Sequence, residues 1–349
     1  MSILAVDIGA GTQDILLFNE SMPLEGSFKM VLPSFTVMLA GWIDRARIDR
    51  RPVFLKGPTM GGGAITRAVR RHIEAGLDVY ATKTAALSLN DDLTRVEGMG
   101  VLIGDDAPAG AVVLETGDLR LDLISQSFGL FGIEMPEVVA VAVQDHGYSP
   151  GRSNRQARFE QMAEMMRKGG LFEDFAYREP PAFFSRMAAV STCLREKDTP
   201  SFVMDTGPAA ILGATLDPRY REPALVVNIG NGHTIAAVVQ DGRMVSLFEH
   251  HTSLLDVGRI GVLAKALCEG TLSNEAVFAD GGHGAHVEEA VGIDRLQSVL
   301  VTGPRRHKLL SGLSDLGDPI SAAPGGDMMI AGSLGLVEAW RRRGGEEWR

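Results

Sequence analysis

Cysteine is nearly absent from this chain. Among 349 residues there are two, Cys193 and Cys268, far apart in sequence. Such a pair cannot by itself form an iron–sulfur or zinc cysteine cluster. One disulfide is conceivable, but two reduced thiols in a cytosolic protein is the reading we expect. An excess of positive charge is also missing. Lys and Arg number 34 against 44 Asp and Glu, for a formal net charge of −10. That balance excludes broad nucleic-acid binding, which needs a basic surface. Long apolar runs are lacking too. Residues 30–43 are uncharged but too short to span a bilayer, and 223–240 are broken by a glycine turn. No transmembrane segment is expected. With no basic region or cleavable signal in the first residues, the expected location is the cytoplasm.

What is present is an ordinary globular composition, 45% hydrophobic and 22% charged, in a length sufficient for two domains. Two short segments look like copies of one another. The first runs Val6-Asp7-Ile8-Gly9-Ala10-Gly11-Thr12-Gln13-Asp14 and the second Val227-Asn228-Ile229-Gly230-Asn231-Gly232-His233-Thr234. Each is an apolar run, an Asp or Asn, a Gly-x-Gly and a second apolar run, which predicts a strand, a tight turn and a returning strand. Backbone N–H groups in such a turn can face an oxyanion, because glycine has no Cβ to hold a phosphate away. A carboxylate beside it, such as Asp7, can hold hydrated Mg²⁺.

The rest of the pattern repeats around those turns. Strands are expected at 3–7, 14–18 and 28–32, a helix at 35–47, then strands at 52–55, 77–81, 110–115 and 138–144. Helices are expected at 64–75, 120–131 and 153–168. Residues 169–200, with Pro180-Pro181, are the least regular and the best place for an inserted or crossover segment. From 224 the opening theme returns: strands at 224–228, 234–240 and 244–249 with an Asp241-Gly242 turn, a helix at 254–269, a strand at 298–301, a helix at 327–343 and a charged tail. The expected division is 1–150, 151–222 and 223–349.

Asp7-x-Gly9-x-Gly11-Thr12, with Gly230-Asn231-Gly232 as its second copy, resembles the two phosphate motifs of the actin, Hsp70 and sugar-kinase superfamily. The resemblance implies an α/β fold of two related ribonuclease-H-like domains, with β-β-β-α-β-α cores flanking a nucleotide cleft. It implies ATP and Mg²⁺ as cofactors, with Asp7 on the metal. Gly9, Gly11, Thr12 and Gln13 would lie at one end of the phosphates, and Asn228, Gly230, Asn231, Gly232 and His233 at the other. The adenosine wall has two candidate turns, one around Gly303 and one around Gly325. Asn228 stands where this superfamily often has an acid, and His233 is unusual opposite Thr12. More closely, Val-Asp-Ile-Gly-Ala-Gly-Thr-Gln-Asp is similar to the opening of a prokaryotic family loosely labelled as related to pyruvate formate-lyase activating enzyme. A radical activase needs three closely spaced cysteines, and this chain has none so spaced.

A kinase of this type needs a base for the acceptor hydroxyl. Asp145, followed by His146 at the end of the 138–144 strand, is the first candidate, and Asp205 the second; turn or helix capping is the alternative for both. His233, His250, His251, His283 and His286 crowd one region. They are readable as a transition-metal site, as phosphate-facing acid/base groups or as surface histidines. Arg152 and Arg155 are anion-binding candidates beside an N-cap at Ser153, and Lys56 with the Met60–Gly63 loop is another. Met162, Met165 and Met166 read as packing. Three functions remain open: a phosphotransferase or ATPase acting on a small metabolite, a nucleotide-dependent switch, or an activator of a partner enzyme. Homo-oligomerisation is left open.

Overall fold

The computed structural model describes residues 1–196 and 200–344. The chain opens with β1 (Ser2–Ile8), β2 (Thr12–Asn19) and β3 (Phe28–Pro33), followed by α1 (Phe35–Ile48). Next come β4 (Val53–Lys56), α2 (Gly63–Glu74), β5 (Val79–Ala81), α3 (Lys83–Ala86), α4 (Leu93–Gly98), β6 (Val101–Ile103) and β7 (Val112–Glu115). The chain then runs through α5 (Leu121–Gly129), β8 (Val138–Val143), α6 (Asn154–Arg167), β9 (Ala176–Tyr177), α7 (Ser185–Arg195), β10 (Ser201–Asp205) and α8 (Thr206–Ala214). The second half holds β11 (Ala224–Ile229), β12 (His233–Gln240), β13 (Arg243–His251), α9 (Val257–Cys268), α10 (Asn274–Ala279), β14 (Gly284–Val287), β15 (Ser298–Thr302), β16 (Pro319–Ser321) and α11 (Ala331–Arg342).

Two six-stranded sheets carry the fold. Their orders are β3-β2-β1-β8-β10-β9 and β14-β13-β12-β11-β15-β16. An antiparallel run (β3-β2-β1 in the first sheet, β14-β13-β12-β11 in the second) is followed by parallel strands, with β9 antiparallel at the far edge of the first sheet, and β1 pairs with β8 as β11 pairs with β15. This is the duplicated ribonuclease-H-like architecture that the family resemblance implied. The inner strands are apolar on both faces because both are covered. In β1, Ile3 and Ala5 face a central layer that also receives Val226, Ala237, α8 and α11, while Leu4, Val6 and Ile8 face the outer layer of α5 and α7. In β11, Leu225, Val227 and Ile229 meet α9 on the opposite outer side. Among the described residues no helix is long and apolar enough to cross a membrane.

Sheet membership runs across the expected boundary at residue 150. Segment 151–222, expected as a crossover, supplies β9 and β10 to the first sheet, and α8 to the central layer. The extra unit lies earlier, where β6-β5-β4-β7 form a separate four-stranded parallel sheet with its own core from Phe35 to Leu114. The expected 169–200 stretch contains β9 and α7; its residues 197–199, and the charged tail beyond 344, lie outside the described residues. The predicted C-terminal helix returns to the central layer. α8 and α11 cross closely, for a Cβ on Gly335 would overlap the Ala209 carbonyl and one on Gly213 the Ala331 carbonyl. The Asp241-Gly242 turn has positive φ at both residues (54° and 72°), the geometry of a two-residue hairpin whose twist matches its strands.

Candidate functional site

The two glycine turns have the same hydrogen bonds. Gly9 N–H donates to the Thr12 carbonyl (2.8 Å) and Gly230 N–H to the His233 carbonyl (2.9 Å). The Gly11 carbonyl accepts from Ser34 N–H (3.1 Å) as the Gly232 carbonyl accepts from Thr252 N–H (3.0 Å). The turns meet tip to tip. A Cβ on Gly11 would lie 2.7 Å from Asn231 Nδ2, and one on Gly232 would lie 3.4 Å from the Ala10 Cβ. Both turns border a cleft of about 850 Å³, which Asp7, Gly9, Thr12, Asn228, Gly230, Asn231, Gly232, His233 and Gly303 all line.

Asp7 and Asp14 stand directly opposite each other on β1 and β2 and both line this cleft. Burial raises Asp7 to a pKa of about 7, even though Thr206 Oγ1 donates to its Oδ1 at 2.5 Å. Burial, helped by the charge of Asp7, raises Asp14 to about 8. Asp14 Oδ1 is buried with no hydrogen-bond partner. Two enclosed oxygen donors with an orphaned lone pair are what a hard, hydrated dication satisfies.

The expected phosphate and adenosine residues divide into two groups. Gln13 is turned away, donating from Nε2 to the Pro33 carbonyl (3.0 Å). Gly303 (φ 93°) packs so tightly on the Asn228 turn that a Cβ would sit 2.5 Å from Asn228 Oδ1. Gly325 is a correction: it packs against Leu24 and is not among the residues lining the cleft. Lys56 also lies off the cleft and pairs with Glu115 (3.8 Å), whereas Gly61, Gly62 and Gly63 at the start of α2 do line it.

Both expected base carboxylates are already engaged. Asp145 Oδ1 accepts from Gly147 N–H and Oδ2 from Met187 N–H, each at 2.8 Å. Burial raises its pKa, with those bonds opposing. Asp205 caps α8 through Gly207 N–H (2.9 Å) and takes two bonds from Arg158 (2.6 and 3.0 Å). The structural alternative therefore accounts for both. Arg158, 1% exposed, also donates to Glu249 Oε2 (2.7 Å) and to the Asp145 carbonyl (2.8 Å). Burial disfavours Arg158's charge, but its two carboxylate partners raise its pKa overall; burial likewise opposes the Glu249 charge, yet Arg158 holds that pKa well down. Gln144 Nε2 donates to the other Glu249 oxygen.

Beside this network sit four imidazoles. His146 Nε2 lies 3.1 Å from His283 Nε2, and the rings of His233, His251 and His283 have centroids 4.8–4.9 Å apart. Burial lowers all four pKa values, to about 4 for His233 and about 3 for His283, so the rings are neutral at pH 7. His250 and His286 stand apart, pairing with Asp280 (3.2 Å) and Glu288 (3.1 Å). Arg155 lines the cleft while donating to the Gly282 carbonyl (2.6 Å), and Arg152 makes an exposed pair with Glu160 (2.7 Å). Ser153 sits at the α6 N-cap position, but its side chain makes no capping bond.

A family model described as "Putative pyruvate format-lyase activating enzyme (DUF1786)" matches residues 60–308. The chain belongs to that family. Its description does not fit cluster chemistry here, because the two cysteines are divided between α7 and the buried end of α9. No curated protein sequence matches the chain. Among solved structures it is similar to the activator of the 2-hydroxyisocaproyl-CoA dehydratase from Clostridium difficile with bound ADPNP, at 11% identity over 98% of this chain and 97% of that one, TM-score 0.35. It is also similar to the inorganic polyphosphate/ATP-glucomannokinase from Arthrobacter sp. strain KM, at 11% identity over 98% and 99%, TM-score 0.37. Superpositions this loose decide nothing about activity; the fold rests on the sheet orders above.

Sequence reasoning missed Arg158 and Glu249. Arg158 did leave a signal, a cation flanked by Ala157 and Phe159 and in four-residue step with Met162 and Met166, which α6 buries. Glu249 left one as well, a single acid within the apolar run of β13.

Proposed function

We propose that this protein binds ATP with Mg²⁺ in the cleft between its two ribonuclease-H-like halves, and that the γ-phosphate is transferred or hydrolysed there. The observation that carries this reading is the pairing of the two glycine turns, one from each half, beside the Asp7/Asp14 carboxylates. Asp7 and Asp14 are the residues that would hold Mg²⁺, which when bound neutralises phosphate charge. Thr206 orients the Asp7 carboxyl by its hydrogen bond. The Gly9–Thr12 and Gly230–His233 turns supply neutral backbone donors to the phosphates from opposite sides. Met60–Gly63 and Asn228 close the flanks of the same cleft. Neutral His146 and His233 also line the cleft, as does the Arg155 guanidinium, whereas the charge of Arg158 is offset by Asp205 and Glu249.

A second reading is a nucleotide-dependent switch acting on a partner enzyme. The engagement of Asp145 and Asp205 in fixed hydrogen bonds favours it, since a base for an acceptor hydroxyl is then not among the expected carboxylates. Thermal melting with Mg·ATP, paired with phosphate release, tests both. Nucleotide binding predicts a rise in melting temperature that Asp7→Ala abolishes. No shift in the wild-type protein sinks the reading. A shift without turnover selects the switch.

A further inference from the structure

We propose that His146, His233 and His283 form a site for a first-row transition-metal dication, zinc fitting best, with one coordination position facing the cleft. The inference does not rest on the nucleotide reading.

Three separate segments converge here. His146 follows β8 of the first sheet, His233 opens β12, and His283 immediately precedes β14. Each offers one ring nitrogen, and these atoms all lie within 4.8 Å of one another. The His146 Nε2–His283 Nε2 separation of 3.1 Å is close to the edge of about 3.3 Å in a tetrahedron of zinc–imidazole bonds. The backbone fixes two of the three donors. His233 closes the second glycine turn through its carbonyl, and His283 N–H donates to the Glu249 carbonyl (2.9 Å).

The rings are not satisfied in the way that a structural histidine is. His250 shows the structural pattern in the same region, with Nδ1 on the His251 carbonyl and Nε2 on Asp280, both at 3.2 Å. In the cluster, by contrast, the Nε2 atoms of His146 and His283 face each other. Two facing imidazole nitrogens can share at most one proton in a hydrogen bond, whereas both can donate lone pairs to a metal.

Charge and donor type agree. Arg158 is matched by two carboxylates, Asp205 and Glu249, which leaves one net negative charge beside the rings. The Glu249 oxygens are taken by Arg158 and Gln144, so Glu249 is a neighbour of the site and not a ligand. All three ligands line the cleft, so the remaining position is open to water or an anionic oxygen. A donor set of imidazoles selects zinc and its neighbours over magnesium or calcium, which take oxygen. The site is thus chemically separate from Asp7 and Asp14.

The test is calorimetric titration of chelator-treated protein with Zn²⁺ in the absence of nucleotide, with metal counted by mass spectrometry. We expect one zinc per chain. His146→Ala and His283→Ala should each weaken binding roughly tenfold or more. His286→Ala and Asp7→Ala should not, which separates this result from the nucleotide reading. Substoichiometric binding, or binding unmoved by both cluster variants, overturns the proposal. Should those variants fail to fold, X-ray absorption of the zinc-loaded wild-type protein decides. Three imidazole ligands support the site, and fewer than three overturn it.

Discussion

Arg158 and Glu249, 91 residues apart, form a buried ion pair at 2.7 Å that ties helix α6 to the second sheet. Asp205, from the first sheet, takes the other side of the same guanidinium. Both halves of the molecule therefore depend on one arginine. Removing a single member leaves charge buried without compensation, which costs about 3–5 kcal/mol. Arg158→Met should lower stability by that amount in urea denaturation. Arg152→Ala, which breaks the exposed pair with Glu160, should change it by less than about 1 kcal/mol.

The helix crossing in the central layer gives a second contrast. Gly335→Ala places a methyl on the Ala209 carbonyl, a backbone atom that cannot step aside, and should cost about 1–3 kcal/mol or more. Gly41, within α1, is exposed with nothing near its absent Cβ. Gly41→Ala should raise stability by about 0.5–1 kcal/mol, since it removes only the helix penalty of glycine. Equilibrium unfolding of both variants checks the signs.

Asp217 supplies the pH-dependent prediction. Its carboxylate accepts from Arg219 and from the Arg219 and Ala323 backbone N–H groups, and those bonds hold its pKa down to about 2. A carboxyl depressed in the folded state adds stability above its unfolded pKa and loses it as pH falls through the folded value. Asp217→Asn should therefore cost about 1 kcal/mol near neutral pH, the partner Arg219 being exposed and screened. The gap from wild type should close between about pH 4 and pH 2, read from melts across that range.

Asp145→Asn distinguishes a supporting carboxylate from a reacting one. The amide cannot accept from both Gly147 and Met187, so the variant should lose about 1–3 kcal/mol. If the side chain only supports the loop that carries His146, the thermal shift with Mg·ATP persists in the variant.

Much of the fold was legible because its signals are local. The apolar runs of β1, β2, β11 and β12 and their glycine turns are short-range features, and each half opens with the predicted three strands. What escaped is set by distance. The role of β10 depends on its pairing with β8, and the place of Gly325 on its contact with Leu24, neither of which has a sequence signature. In the site, Asp7, Gly9, Thr12, Asn228, Gly230, Gly232 and His233 converge as the paired motifs suggested. Asp145 was recognisable as a carboxylate at a strand end, and Asp205 as a second candidate that could equally cap a turn or helix. Their partners Met187 and Arg158 come from other elements, so only the folded chain discloses that their oxygens are occupied. His146 joins the histidine group for the same reason, since 137 positions separate it from His283.

The tip-to-tip contact of the turns has the form of a homodimer interface. Gly11 meets Asn231, and the equivalent positions, Gly232 and Ala10, meet in return. Residue i touches j and j touches i, the relation produced by a local twofold axis. In a true homodimer, any change at one turn is imposed on the other. Within one polypeptide the two copies are uncoupled, so one can keep an acid at Asp7 while the other carries Asn228, and one can keep Thr12 while the other carries His233. The symmetry survives in the backbone, and the division of labour is written in the side chains.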